Sequence, residues 1–254
     1  MQLFRPVWSC RMIRKDKEDN KQMKMIAVNG SPRKQWNTAK LLEKVVEGAK
    51  AAGMDTKLVH IYDFDFKGCT SCFGCKRVGG NSYGRCVMRD SLTPLLDEIH
   101  STDALVLGSP LYFMTETGEM RSFMERACFP YFCYSNPPTT LFPRRIKSAF
   151  VYTMNMREEL AESMGASNHL EKTKFSMEMI FGPCEMQICY DTLQYTDYEV
   201  HGNVLYDGTA KKRRYEEIFP KDMERSFELG QCLALPLTAK QQQEFPIWLG
   251  ELSS

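Results

Sequence analysis

Short apolar runs alternate along this chain with stretches whose hydrophobic residues recur at helical spacing. Met25-Ile-Ala-Val28 is continuously apolar and stops at Asn29-Gly30, the pattern of a strand buried on both faces. Leu41, Leu42, Val45, Val46 and Ala49 then repeat at helical spacing as far as Gly53, which can end a helix. Thr56 to Ile61 predicts a second strand, and Leu92, Leu95, Leu96 and Ile99 a second helix. Ala104 to Gly108 predicts a third strand, and Met120, Phe123, Met124 and Ala127 a third helix face. Lys147 to Thr153 reads as a fourth strand, His169 to Ile180 as a helix and Met186 to Tyr190 as a fifth strand. A last helix is predicted from Met223, Phe227, Gly230 and Ala234, ending near Pro236. Strands alternating with helices imply a doubly wound α/β fold, a five-stranded parallel sheet covered on both faces.

Three stretches break the alternation: the Gly- and Cys-rich Lys67 to Arg85, the Pro- and aromatic-rich Phe129 to Arg145, and Asp191 to Asp207. The expected organisation is a domain over 23–240 with a Cys-rich loop at 67–86, a disordered extension at 1–22 and a tail at 241–254. Residues 1–22 carry Asp16, Glu18 and Asp19 and no long apolar region, so a secretory signal is not expected. A cytoplasmic location is. The balance of 33 Lys and Arg against 32 Asp and Glu leaves no electrostatic footprint for nucleic acid. No apolar run approaches bilayer length, so no membrane partner is expected.

Chemistry is concentrated in the loops. Gly30-Ser-Pro-Arg-Lys-Gln-Trp-Asn-Thr38 joins the first strand to the first helix. A helix start offers free N–H groups and the positive end of a dipole, both suited to phosphate. Ser31, Asn37 and Thr38 add neutral donors there, while Arg33 and Lys34 add charge. The alternative is that Asn37 and Thr38 are ordinary helix caps. The loop lacks the P-loop and dinucleotide glycine patterns. Cys69, Cys72 and Cys75 share two-residue gaps, and Cys86 follows after ten residues. Four thiolates on one loop can hold a [4Fe–4S] cluster or zinc. A disulfide and a metal-free loop are the other readings. Cys10, Cys128, Cys133, Cys184, Cys189 and Cys232 read as buried small hydrophobes. His60, His100, His169 and His201 lack zincin spacing and read as surface or satisfied core residues. The acidic residues read as solvated surface.

Asn29-Gly-Ser-Pro-Arg-Lys with Asn37-Thr38 resembles the FMN phosphate loop of the NADPH-dependent FMN reductases. Gly108-Ser-Pro-Leu-Tyr-Phe-Met-Thr-Glu-Thr-Gly-Glu-Met-Arg-Ser-Phe-Met-Glu-Arg126 is similar to that family's second flavin loop and the helix after it. The Cys-rich loop with Gly84-Arg-Cys-Val-Met-Arg-Asp90 resembles the iron–sulfur flavoprotein branch. The resemblance implies a flavodoxin-like sheet of order 2-1-3-4-5. It implies FMN as cofactor, with Ser31, Arg33, Lys34, Asn37 and Thr38 at the phosphate, and Pro110, Leu111, Tyr112 and Phe113 lining the ring. Thr153, Met154 and Asn155 stand at a third contact, where family members often carry adjacent glycines. NAD(P)H would be co-substrate and a small molecule or redox protein the acceptor. A [4Fe–4S] cluster on Cys69, Cys72, Cys75 and Cys86, and a homodimer or higher assembly, are the further implications. The flavin would carry the redox chemistry, so no catalytic side chain is expected. A flavin and iron–sulfur electron carrier without enzymatic activity, and a zinc-bound interaction module, are the competing readings.

Overall fold

The structure is a computed structural model and describes residues 22–135, 139–201 and 205–243. In chain order it runs β1 (Lys24–Asn29), α1 (Asn37–Ala51), β2 (Asp55–His60), α2 (Thr93–His100), β3 (Ala104–Pro110) and α3 (Gly118–Cys128). A small hairpin follows, β4 (Phe132–Cys133) and β5 (Thr139–Thr140). Then come β6 (Lys147–Thr153), α4 (Glu158–Ser163), α5 (Ala166–Ile180), β7 (Cys184–Cys189), α6 (Gly208–Leu233) and α7 (Ala239–Gln243).

Five strands form one parallel sheet in the order β2-β1-β3-β6-β7. Leaving out the hairpin strands, this is the expected 2-1-3-4-5 arrangement. Successive side chains of β1 point to opposite faces. Ile26 and Val28 join the core under α2, α3 and α5, whereas Met25 and Ala27 join the one under α1 and α6. Burial on both faces explains why β1 and β3 read as unbroken apolar runs.

The structure departs from the expected elements in three places. The last helix begins at Gly208, well before Met223. Its first turns carry Lys211, Lys212, Arg213, Arg214, Glu216 and Glu217, which dilute the apolar stripe. Asp207 caps it by accepting from the backbone N–H of Thr209 and Ala210 at 2.9 and 3.1 Å. The short polar α4 left no periodic signal. Phe129 to Arg145 contains the β4–β5 hairpin. The expected extension lies outside the described residues except for Gln22, as does the tail beyond residue 243. Among the described residues no helix is long and apolar enough to cross a membrane.

Candidate functional site

All five parallel strands end on one edge of the sheet, where doubly wound folds place their ligands. There β1, β3, β6 and β7 hand the chain to loops that enclose a cleft of about 420 Å³. Ser31, Arg33, Asn37, Thr38, Pro110, Leu111, Tyr112, Thr153, Met154 and Asn155 all line it. Three loops far apart in sequence therefore converge on one cleft. Two expected residues do not join them. Lys34 turns away to pair with Asp63. Phe113 is fully exposed at the loop tip.

The first loop is built around a close approach. Gly30 N–H donates to the Gly108 carbonyl at 2.7 Å. A Cβ on Gly30 would lie 2.7 Å from Met120 Cε and 2.9 Å from Met120 Cβ, so only glycine fits. Ser31 Oγ accepts from Arg33 N–H at 3.1 Å, an ST-type turn. Trp36 occupies the cap position of α1, and no side chain caps this helix. Asn37 and Thr38 are its first helical residues rather than caps, so the capping alternative falls. The first turn contains no acidic residue, and its N–H groups keep their preference for an anion. Thr38 Oγ1 lies 2.8 Å from Thr153 Oγ1, tying the start of α1 to the end of β6.

The second loop turns back sharply. Tyr112 and Thr115 exchange backbone hydrogen bonds of 2.8 and 3.1 Å. Phe113 and Met114 between them have φ of 50° and 67°. Both are left-handed, as in the tight hairpin turns that favour Asn-Gly. This geometry throws the Phe113 ring outward and explains its absence from the cleft.

The far wall was not anticipated. Thr192, Leu193, Gln194, Tyr195, Thr196 and His201 line the cleft together with Trp36. The Leu193 carbonyl accepts from Trp36 Nε1 at 2.9 Å and Asn37 Nδ2 at 2.7 Å. The Gln194 carbonyl accepts from Arg33 Nη1 at 2.7 Å. Tyr195 and His201 stack with ring centroids 4.2 Å apart. The wall is pinned at Asp191, a buried residue with φ of 56°. Asp191 pairs with buried Lys211 and, at 2.8 Å, with Arg214 Nε. Lys211 Nζ also donates to the Asn155 carbonyl at 2.7 Å. Burial pulls the Lys211 amine below its ordinary value, against the attraction of Asp191. The available signal was positional: an aromatic-rich stretch immediately after the last strand of the sheet.

The Cys-rich loop runs beside α3. Cys69 and Cys72 are exposed, Cys86 is half-buried and Cys75 is buried. Burial pushes the Cys75 thiol up, and the neighbouring Cys86 and Cys69 sulfurs add to that rise. Ser71 and Phe73 adopt φ of 54° and 55°, backbone that non-glycine residues seldom take. The last turns of α3 anchor the loop. Glu125 Oε2 accepts from Cys69 N–H at 3.0 Å. Arg126, fully buried, donates to the Lys67 carbonyl at 3.1 Å and the Met88 carbonyl at 3.4 Å and pairs with Asp90. Both ends of the loop thus meet on one guanidinium. Its Nε has no hydrogen-bond partner, although Arg126 and Cys86 line the same small cavity. An orphaned buried donor beside a thiol, on a loop of four thiols, suits an anionic sulfur centre. Among the described residues, however, no three His, Cys, Asp or Glu side chains are grouped as metal ligands.

Residues 23–170 match the family model of the NADPH-dependent FMN reductases. A protein named iron-sulfur flavoprotein from Archaeoglobus fulgidus is 34% identical over 105 residues, 41% of this chain and 49% of that protein. One of the same name from Methanosarcina thermophila is 25% identical over 105 residues, 41% of this chain and 52% of that protein. The chain spans about half the length of these relatives. Among solved structures, the NAD(P)H:quinone oxidoreductase of Methanothermobacter marburgensis superposes with a TM-score of 0.60 at 15% identity, covering 83% of this chain and 98% of that one. An azoreductase from Bacillus anthracis gives the same TM-score of 0.60 and 15% identity over 83% of this chain and 100% of that one. At such low identity these two attest the shared fold.

Proposed function

The chain belongs to the NADPH-dependent FMN reductase family, and from that membership we propose that it is an FMN-dependent oxidoreductase taking electrons from NAD(P)H. The observation that carries the reading is the cleft, where ten of the twelve residues expected to touch flavin line one cavity at the strand ends. Its volume of about 420 Å³ falls within the usual range for small-molecule sites. In this reading Ser31, Asn37, Thr38 and the uncapped start of α1 hold the phosphate. Arg33 neutralises its charge from the rim. Pro110, Leu111 and Tyr112 line the ring, with Thr153, Met154 and Asn155 beside them as a third contact. FMN, when bound, supplies the hydride chemistry and passes electrons on in pairs or singly. The protein's share is orientation and the exclusion of water, with no general acid or base required.

The second part of the proposal concerns Cys69, Cys72, Cys75 and Cys86, which would hold a [4Fe–4S] cluster. The four thiols, the orphaned Arg126 Nε and the similarity to proteins named iron-sulfur flavoproteins support it. The acceptor is then a small molecule or a redox protein that takes electrons from the flavin directly or through the cluster.

The test is a visible spectrum of protein purified without oxygen, with iron and sulfide assayed on the same sample, followed by addition of NADPH. Flavin bands that bleach with NADPH are expected, with about four irons per chain for the cluster. The variant Ser31→Ala/Thr38→Ala should hold flavin at least tenfold more weakly and leave iron unchanged. Full flavin occupancy in that variant would remove the phosphate assignment. Flavin without iron would reduce the protein to a plain flavin reductase.

A further inference from the structure

Glu116 lies between the Phe113-Met114 turn and the start of α3. Its side chain is wholly buried, against the expectation that the acidic residues are solvated surface. Its Oε1 accepts from the Tyr152 hydroxyl and from Thr173 Oγ1, the latter at 3.0 Å. Its Oε2 lies 2.9 Å from His169 Nε2 and 3.6 Å from Arg121 Nη1. An ionised carboxylate only accepts, so Nε2 carries the His169 proton. Burial acts to raise the Glu116 carboxyl, yet the Tyr152 and His169 donors hold it below its ordinary value. It is therefore an anion satisfied from three elements: β6, α5 and α3.

Each link leads to the cleft. Thr117, the next residue, donates from Oγ1 to the Gly30 carbonyl at 2.7 Å and from its N–H to Ser109 Oγ at 3.1 Å. Tyr152 immediately precedes Thr153, whose carbonyl accepts from Leu111 N–H at 2.9 Å. Tyr152 itself is fully buried, stacks on Phe150 and does not line the cleft. The array ends one residue short of the cavity, so it can hold geometry there but cannot deliver a proton.

We propose that Glu116 is a positioning residue for flavin binding, fixing the 110–117 loop against β6 and α5 so that the ring-facing wall is set before the ligand arrives. This rests on the FMN reading of the cleft. Preorganisation of this kind depends on supporting residues whose own contacts are all satisfied. Glu116→Met leaves Tyr152, Thr173 and His169 without an acceptor, and orphaned buried donors are costly. Glu116→Gln keeps the shape but obliges His169 to change tautomer and accept from the new amide.

The experiment is titration of flavin-free protein with FMN, following flavin fluorescence and the visible bands. Wild type, Glu116→Met, Glu116→Gln, Tyr152→Phe and Leu95→Ala are compared, with thermal melts on each. Leu95→Ala opens a cavity under α2, away from the cleft. It should lower the melting temperature and keep the wild-type Kd and spectrum. Glu116→Met should raise the FMN Kd at least tenfold and shift the flavin bands. Glu116→Gln and Tyr152→Phe should move both severalfold in the same direction. Should Glu116→Met not fold, these milder variants decide. Wild-type Kd and bands in all the Glu116 and Tyr152 variants that fold would overturn the proposal. So would an equal loss in Leu95→Ala, since global stability would then suffice. No FMN binding by wild type would overturn the cleft reading itself, and this proposal with it.

Discussion

At the scale of single residues, the informative groups are buried ones that a solvated-surface reading misplaces. Glu116 and Arg126 are both charged and both fully buried, and both draw their partners from elsewhere in the chain. Burying a charge without partners would be prohibitive, so each is a fixed point around which a loop is organised. Glu116 also imposes a pH signature. Its folded pKa lies below the usual 4.5. Its stabilisation is therefore in place above pH 4.5 and is lost as pH falls through the folded value. Asp222 and Glu178 are raised by burial and act with the opposite sign, stabilising less as pH rises through their titration. A comparison of wild type with Glu116→Gln isolates the first effect. In melts run from pH 7 to pH 3, the gap between the two should narrow below about pH 4.5. A constant gap would mean that folding does not lower the Glu116 carboxyl, and a gap that widened on acidification would mean that it is held protonated in the folded protein.

At the scale of elements, the pairing of α1 with α6 governs the position of the phosphate loop. The two helices meet at glycines. A Cβ on Gly48 would stand 1.9 Å from the Phe227 carbonyl oxygen, and one on Gly230 would stand 2.0 Å from that of Val45. Both obstructions are backbone and cannot rotate aside. Gly230→Ala should consequently cost about 3 kcal/mol, the upper part of the range for overpacking, despite the better helix propensity of alanine. Denaturant unfolding would read this. A neutral or stabilising result would show that the helices separate without loss. Helix α6 also contains Pro220, which removes one helical hydrogen bond. Its long charged start and internal proline explain why only its second half was legible as a helix. The second half carries the apolar stripe, and the first half is held by long-range contacts such as Lys211 with Asp191.

At the scale of the whole molecule, the cleft draws on β1, β3, β6, the segment after β7 and the start of α1, so a ligand there bears on the entire sheet. FMN at about 100 times its Kd should raise the unfolding free energy by about 2.7 kcal/mol if it binds only the folded chain. Thermal melts at increasing FMN should shift as one transition. A shift confined to one of two transitions would show that the cleft and the rest of the sheet unfold separately.

The chain's local pattern determined the strands, most of the helices and the three loops able to hold a phosphate or a ring, because burial on one or both faces writes a period into the sequence. It also placed four thiols on one short loop, since their spacing needs no fold to be read. Only the tertiary structure decided which of these residues meet. Trp36 and Leu193 are 157 positions apart yet share a hydrogen bond, and nothing in either neighbourhood records the other. Lys34 and Phe113 sit within the right loops but point elsewhere, Lys34 toward Asp63 and Phe113 outward from a left-handed turn. The direction of a side chain is set by backbone dihedrals and by distant partners. The far wall of the cleft, the anchor at Arg126 and the buried anion at Glu116 all arise from contacts between segments that are remote in sequence, and periodicity carries no trace of such contacts.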